Sequence, residues 1–299
     1  MQFKNVLFLE VKNLTVYTPK TLSAALEKTA FTPCRAASPS SLGWVSPSEE
    51  EYSPLVHAVD KYMMICLQIE DKILPPTVVH QELQDQVRKI EITQRRKVLA
   101  KEKYTIRNGI YNALLPKAFT KKSKIYAYFD IKNNWLITDT VSTPKVELFL
   151  KILKKTLPKV VVVAPKIKKI STIMTHWLLN NNHPKSLEIE KSCVLQDPQY
   201  QSRILRCQQQ DLSAHTVKAL LKDGYEVRQL ALSWQNQILF TLVDNFSLKS
   251  LKYQDTVFEL RQEDISNDKQ EKFDLDFVTM TNILEKLLID LTKQLFKKI

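Results

Sequence analysis

Glycine is nearly missing from this chain: its 299 residues hold three, Gly43, Gly109 and Gly224. None stands in a G-x-x-x-x-G-K or G-x-G-x-x-G setting. That argues against the backbone cradles of P-loop and dinucleotide folds, and with them against a conventional ATP-driven motor. Long apolar runs are missing as well. Runs such as Val160 to Ala164 fall far short of the ~20 residues that cross a bilayer. The first ten residues read as a strand and not a signal peptide, having no charged lead and no small-residue cleavage site. No lipidation motif and no basic helix with a clean bulky apolar face is visible, so a membrane partner is not expected. The histidines, His57, His80, His176, His183 and His215, include no pair at zinc-site spacing, and no C-x-x-C occurs, so no metal and no other cofactor is expected. Cys34, Cys66, Cys193 and Cys207 lie far apart in sequence. They read as reduced, mostly buried thiols of a cytoplasmic protein and not as a disulfide framework. No G-x-S-x-G elbow is present, and no enzymatic activity is expected.

What the chain has is positive charge, unevenly placed. The formal net charge is +12. The stretch 88–124 carries Arg88, Lys89, Arg95, Arg96, Lys97, Lys101, Lys103, Arg107, Lys117, Lys121, Lys122 and Lys124, against only Glu91 and Glu102. Twelve cations and two anions leave +10 in one segment, too one-sided for i,i+4 pairing to explain. Such a field attracts polyphosphate before any specific contact forms, so nucleic acid is the expected partner. A second basic run, Lys151, Lys154, Lys155, Lys159, Lys166, Lys168 and Lys169, flanks the Val160 strand.

Hydrophobic periodicity gives a mixed α+β chain, mostly antiparallel sheets with flanking helices and two or more subdomains. The expected division is an α+β region over 1–165, with a basic helical arm at about 76–122, and a second over 166–299 ending in a long helix. The spacing predicts strands over 2–11, 13–17, 62–69, 124–132, 134–140, 160–164, 187–195, 202–208, 225–233, 237–244 and 248–253. Helices are expected over 21–28, capped by Thr18 or Thr21, and over 143–156, 171–179, 213–222 and about 274–296, with another near Phe258. Thr32 to Pro54 reads as loop. From Thr77 to Lys103 the pattern is helical, with Leu83, Val87, Ile90 and Val98 in one arc and Arg88, Lys89, Arg95, Arg96 and Lys103 opposite. Arg107 to Leu115 reads as a second helix, ended by Pro116 and weakened by Gly109.

Three constellations leave alternatives open. Phe119, among Lys117, Lys121 and Lys122, either meets a nucleic-acid base step or fills a core or subunit interface. Gln208, Gln209 and Gln210 either bond phosphate or base edges or form a polar turn. Asp274 and Asp276 are either metal-binding carboxylates of a nuclease or caps of the following apolar helix.

A series of short strings runs along nearly the whole chain: Ala30-Phe31-Thr32-Pro33-Cys34, Gly43-Trp44-Val45, Lys72-Ile73-Leu74-Pro75 and Leu114-Leu115-Pro116-Lys117-Ala118-Phe119. Gln210-Asp211-Leu212, Leu230-Ala231-Leu232-Ser233-Trp234-Gln235, Ser247-Leu248-Lys249-Ser250-Leu251-Lys252 and Phe273-Asp274-Leu275-Asp276-Phe277 with Met280-Thr281 follow. In order and spacing the series resembles the recombination-associated protein RdgC family. The resemblance implies an α+β fold and a non-enzymatic, largely sequence-independent double-stranded DNA-binding protein. It implies a closed homodimer ring around DNA, located with the nucleoid in the cytoplasm. It also implies functional antagonism of the RecA recombinase, with direct contact left open. By similarity, Pro75, Phe119 and the Gln209–Gln210 pair match positions linked to the ring's contacts or interior, with Pro75 and Phe119 as dimer contacts. Gln209 stands where the family can carry lysine. A metal-dependent nuclease using Asp274 and Asp276 and an RNA-binding module are the other readings.

Overall fold

The structure, a computed structural model, describes residues 2–48, 53–166, 169–254 and 269–296. Twelve strands form one antiparallel sheet. Its first half is built from β1 (Val6–Lys12), β2 (Ser40–Val45), β3 (Val56–Val59), β4 (Tyr62–Ile73), β5 (Phe119–Asp130), β6 (Trp135–Thr138) and β7 (Val161–Val163). Its second half is built from β8 (Leu187–Gln196), β9 (Ile204–Cys207), β10 (Glu226–Trp234), β11 (Ile238–Val243) and β12 (Ser247–Tyr253). The order is β2-β4-β5-β6-β1-β12-β11-β10-β8-β9, with β3 beside β4 and β7 beside β1. The halves meet where β1 pairs β12 through Val6–Leu248 and Leu7–Ser247. The helices are α1 (Pro19–Glu27), α2 (Pro76–Gln94), α3 (Ala100–Leu114), α4 (Thr143–Thr156), α5 (Ile170–Asn180), α6 (His215–Lys222) and α7 (Lys269–Phe296).

The alternation of side chains along a strand divides the first half between two cores. From β4 and β5, Tyr62, Met64 and Tyr128 point to one side and Met63, Ile65, Leu67, Ile125 and Phe129 to the other. Both faces are covered, so Tyr62 to Glu70 is a continuous buried run, as expected for a strand with no wet face. The second face is closed by Leu22 and Leu26 of α1 and Phe149 and Leu153 of α4. The first face belongs to a larger core shared with the second half of the sheet, α5, α6 and α7. Phe277 of α7 packs edge-on to both Tyr62 and Tyr128, at 6.2 and 5.9 Å between ring centres. Eight turns of amphipathic helix thus seal both halves from one side. Glu285, buried on α7, accepts bonds from Lys61, from the Tyr62 hydroxyl (3.0 Å) and from Asn133 Nδ2 (2.8 Å). Burial would raise its carboxyl, but these donors outweigh burial and hold it below the ordinary range.

Local chemistry accounts for several boundaries. Thr18 caps α1 by exchanging side-chain and backbone bonds with Thr21, and Pro19 fits the first turn. Gly224, at φ 96°, closes α6. Gln235 and Asn236, both at positive φ, make the tight turn between β10 and β11.

Other expectations are corrected. Part of the expected loop from Thr32 to Pro54 is β2, which lies along β4 from Ser40–Asp71 to Val45–Cys66. Gly43 is needed there because a Cβ would meet the Phe31 backbone at 2.5 Å. Residues 14–16 form a 3-10 turn and not a strand. Ser171 does not cap α5, which starts one residue earlier; its hydroxyl instead donates to Glu226. The expected helix near Phe258 lies outside the described residues. No helix among the described residues is long and apolar enough to cross a membrane.

Candidate nucleic-acid interface

The basic segment folds as a hairpin of two helices inserted between adjacent strands β4 and β5. Pro75 ends the extended chain and Pro76 takes the first turn of α2, whose Val78 amide bonds back to the Pro75 carbonyl at 3.1 Å. The 19 residues of α2 reach about 28 Å from the sheet. Val79 is the only buried side chain of α2, and Ile110 the only one of α3. The helices lean mainly on each other, so their outer faces are free to meet a partner.

The single long helix expected to Lys103 is broken at Arg95, which adopts left-handed backbone with φ 51°. The turn is held by the segment's two carboxylates. Glu91 accepts from the Val98 amide at 3.1 Å, which turns Val98 inward. Glu102 receives both terminal nitrogens of Arg96, at 2.8 and 2.7 Å, and the Arg96 Nε donates to Gln94. The bonds and charge of Arg96 hold the Glu102 carboxyl below its ordinary range. Arg96 therefore braces the turn in this structure, with its guanidinium engaged by Glu102 and Gln94. The helical arc holds only within α2, where Leu83, Val87 and Ile90 are half-buried and Arg88 and Lys89 exposed.

The other cations remain available. Arg88, Lys89, Arg95, Lys97, Lys101, Lys103, Arg107, Lys117, Lys121 and Lys122 are exposed. Among the described residues none of them makes an ion pair. Lys121 and Lys122 stand opposite Asp71 and Glu70 in the β4–β5 ladder, which reduces their field. Half-buried Lys124 lies over the Tyr126 ring, 5.9 Å from its centre.

Phe119 opens β5 opposite Ile73, the last residue of β4. It is 86% exposed and Ile73 is 49% exposed, so within this chain Phe119 is not a core residue. The end of the ladder also brings exposed Pro75 within two residues of Ile73. Pro75, Ile73 and Phe119 thus share the base of the hairpin. Lys72 ties that base together by donating to the carbonyls of Ala36 and Leu115, each at 2.8 Å.

Gln209 and Gln210 are elsewhere. They follow β9, with Gln209 at φ 52° and the Gln210 amide bonded to the Lys191 carbonyl at 3.1 Å. β9 stands seven strand positions from β5, roughly 34 Å along the sheet. The polar-turn and contact readings are compatible here, because the turn leaves all three glutamines exposed.

Asp274 and Asp276 do not cap α7, which begins at Lys269. They lie inside the helix two residues apart, about 200° around its axis, so they point away from each other. Asp274 sits 3.2 Å from His57 Nε2. Burial lowers the His57 pKa, with Asp274 opposing that shift. No group of three or more His, Cys, Asp or Glu suited to hold a metal ion occurs among the described residues.

Tyr104 and Tyr111 were not singled out by the sequence reading. They are exposed on α3, and their seven-residue spacing puts them on one stripe flanked by Lys101 and Arg107. That spacing was the available signal.

Comparison with known proteins covers this whole arrangement. The family model described as "Putative exonuclease, RdgC" matches residues 1–298. The chain belongs to the RdgC family. A recombination-associated protein RdgC from Proteus mirabilis is 33% identical over 287 residues, 96% of this chain and 95% of that protein. The protein of the same name from Psychromonas ingrahamii is 35% identical over 269 residues, covering 90% and 89%. That from Yersinia pestis is 31% identical over 298 residues, covering 98% and 97%. These relatives carry a recombination name and no enzymatic one, whereas the family model's description carries an exonuclease. The RdgC assignment supports a role in recombination.

Proposed function

We propose that this RdgC protein binds double-stranded DNA without reading sequence, encloses it as a homodimer, and restrains RecA-dependent recombination by occupying the duplex. The observation that carries the reading is the α2–α3 hairpin, a projecting element whose exposed cations, Arg96 apart, make no ion pair among the described residues, with Phe119 bare at its base. Lysine and arginine on such a surface bond backbone phosphates, which position a protein on DNA and carry no base information. Tyr104, Tyr111 and Phe119 add ring faces beside those cations. The hairpin base and the Gln209–Gln210 loop lie at distant parts of one sheet. Two copies joined at both places would surround a central space, and two-fold closure is the commonest way to do so. Enclosure then adds a topological barrier to dissociation that an open surface lacks. In this reading no bond is made or broken, and the protein resides on chromosomal DNA.

The decisive experiment combines sedimentation with duplex binding. A dimer that stays longer on closed circles than on short linear fragments supports the proposal. A monomer at micromolar concentration with DNA binding intact refutes enclosure. Magnesium-dependent degradation of linear duplex that disappears in Asp274→Asn and Asp276→Asn would refute the non-enzymatic reading.

A further inference from the structure

Two cysteines that look unrelated in sequence face each other in the sheet. Cys193 of β8 is the direct cross-strand partner of Cys207, the last residue of β9. Opposed residues of an antiparallel pair share one face, with Cα atoms about 4.5–5.5 Å apart. A disulfide needs a Cα separation of about 4.4–6.8 Å, a range that includes such a pairing. After burial, the neighbouring Cys207 thiol is the group that raises the Cys193 thiol. All four cysteines of the chain are thiols in this structure, and no other two are paired in a strand ladder.

The two members differ in access. Cys193 is 3% exposed, in line with buried Leu195 on the core face of β8. Burial pushes its thiol up to about 12. Cys207 is half-buried; both cysteines border an open cleft of ≈ 540 Å³ with Arg206, Gln208 and Gln209, and Cys207 is the more exposed of the two. The order of reaction follows from that difference: the accessible thiol is attacked or attacks first, and the buried one resolves it.

We propose that Cys193 and Cys207 form a redox-responsive dithiol whose oxidation locks the edge hairpin β8–β9 and stiffens the loop of Gln208 to Gln210. The oxidant is a low-molecular-weight disulfide. The Cys207 sulfur, having lost its proton, attacks one sulfur of that disulfide and expels one thiolate. Cys193 then gives up its proton and attacks the Cys207 sulfur, displacing the second thiolate. The oxidant's own S–S bond breaks, the mixed disulfide forms and breaks in turn, one S–S bond between Cys193 and Cys207 remains, and two electrons pass to the oxidant, which leaves as two small thiols. β9 is a short strand at the edge of the sheet, paired on one side only. A covalent tie at its last residue therefore restrains the chain where the ladder would otherwise open first. This chemistry stands whether or not the protein encloses DNA.

The test uses the full chain equilibrated with equal concentrations of reduced and oxidised glutathione. The sample is quenched in acid, alkylated in denaturant, digested and analysed by mass spectrometry. A peptide pair linked through Cys193 and Cys207, two hydrogens lighter than the reduced pair, is expected. Cys34 and Cys66 should stay outside any crosslink. Cys193→Ser should convert Cys207 to a glutathione mixed disulfide. Cys207→Ser, a change at the half-exposed member, should abolish the crosslink if the first variant folds poorly. Amide exchange over Gln208 to Gln210 should slow several-fold on oxidation. Wild-type protein that accumulates glutathione on Cys207 while Cys193 remains alkylatable would overturn the dithiol. A confirmed crosslink with unchanged amide exchange would overturn the stiffening.

Discussion

Replacing Phe119 by alanine separates contact from packing with unusual clarity. The ring is 86% exposed, so about one seventh of it is removed from water within a protomer. Full burial of such a side chain contributes about 1.5–3 kcal/mol, which scales here to about 0.2–0.4 kcal/mol. For a chain near this size that is a change of about 1 °C in Tm. Phe277, fully buried between Tyr62 and Tyr128, is the internal comparison. Its replacement by alanine should cost about 3–5 kcal/mol and move Tm by roughly 10 °C. If Phe119 instead meets a base step, its loss should weaken duplex binding by the value of one stacked base, about 1–3 kcal/mol or roughly 5–150-fold. Thermal unfolding at several protein concentrations, sedimentation, and fluorescence measurement of affinity and bending on a labelled duplex give the full set. A loss confined to the dimer would appear as a concentration-dependent Tm and assign the ring to the subunit contact. The reasoning is refuted if Phe119→Ala lowers Tm as much as Phe277→Ala while affinity per folded molecule is unchanged.

Four further outcomes are expected. Log affinity for duplex should fall steeply with log salt, and Arg95→Ala with Lys103→Ala should flatten that slope by up to about 0.9 per lost contact, as read by titration at four salt concentrations. Arg96→Ala should instead leave the slope nearly intact and raise amide exchange in the 95–99 turn, since its guanidinium is engaged with Glu102 and Gln94. Gly109→Ala should stabilise the protein by up to about 1 kcal/mol in urea unfolding, because Gly109 is inside α3 with nothing within 4 Å of an added Cβ. Asp139, raised to about 7 by burial and with Oδ1 lacking a partner among the described residues, should make stability pH-dependent. Its folded pKa lies above the unfolded value, so its contribution is complete below about 4 and is lost as pH rises through about 7. Asp139→Asn should flatten that decline in unfolding measured from pH 4 to 8.

The parts of the fold legible in the sequence were those that local chemistry decides. The β4 run, the turn after Asp130, the Thr18 cap, the Gly224 stop and the basic arm all announced themselves through periodicity or a cap residue. β2 did not, because its serines and Gly43 read as loop and only the ladder to β4 makes them strand. The break in the arm was hidden because a non-glycine residue, Arg95, takes the left-handed turn, and side-chain bonds from Glu91 and Glu102 pay for it. Asp274 and Asp276 looked like caps because the helix before them is polar. The candidate interface was legible as charge, while the exposure of Phe119, the bracing of Arg96 and the Tyr104–Tyr111 stripe needed the third dimension.

The reach of α7 across both halves of the sheet has a consequence for synthesis. Tyr62 and Tyr128 lie early in the chain, yet the face they form is closed by Phe277. Some 150 residues separate Tyr128 from Phe277, and at about 5–20 residues per second the ribosome takes about 7–30 s to make them. During that interval the nascent first half has one apolar face covered by α1 and α4 and the other bare. The face waits on a helix still to be translated, so the emerging chain exposes apolar strand surface until α7 is made. A ribosome stalled just before α7 would leave a product prone to aggregate, even though all twelve described strands were already complete.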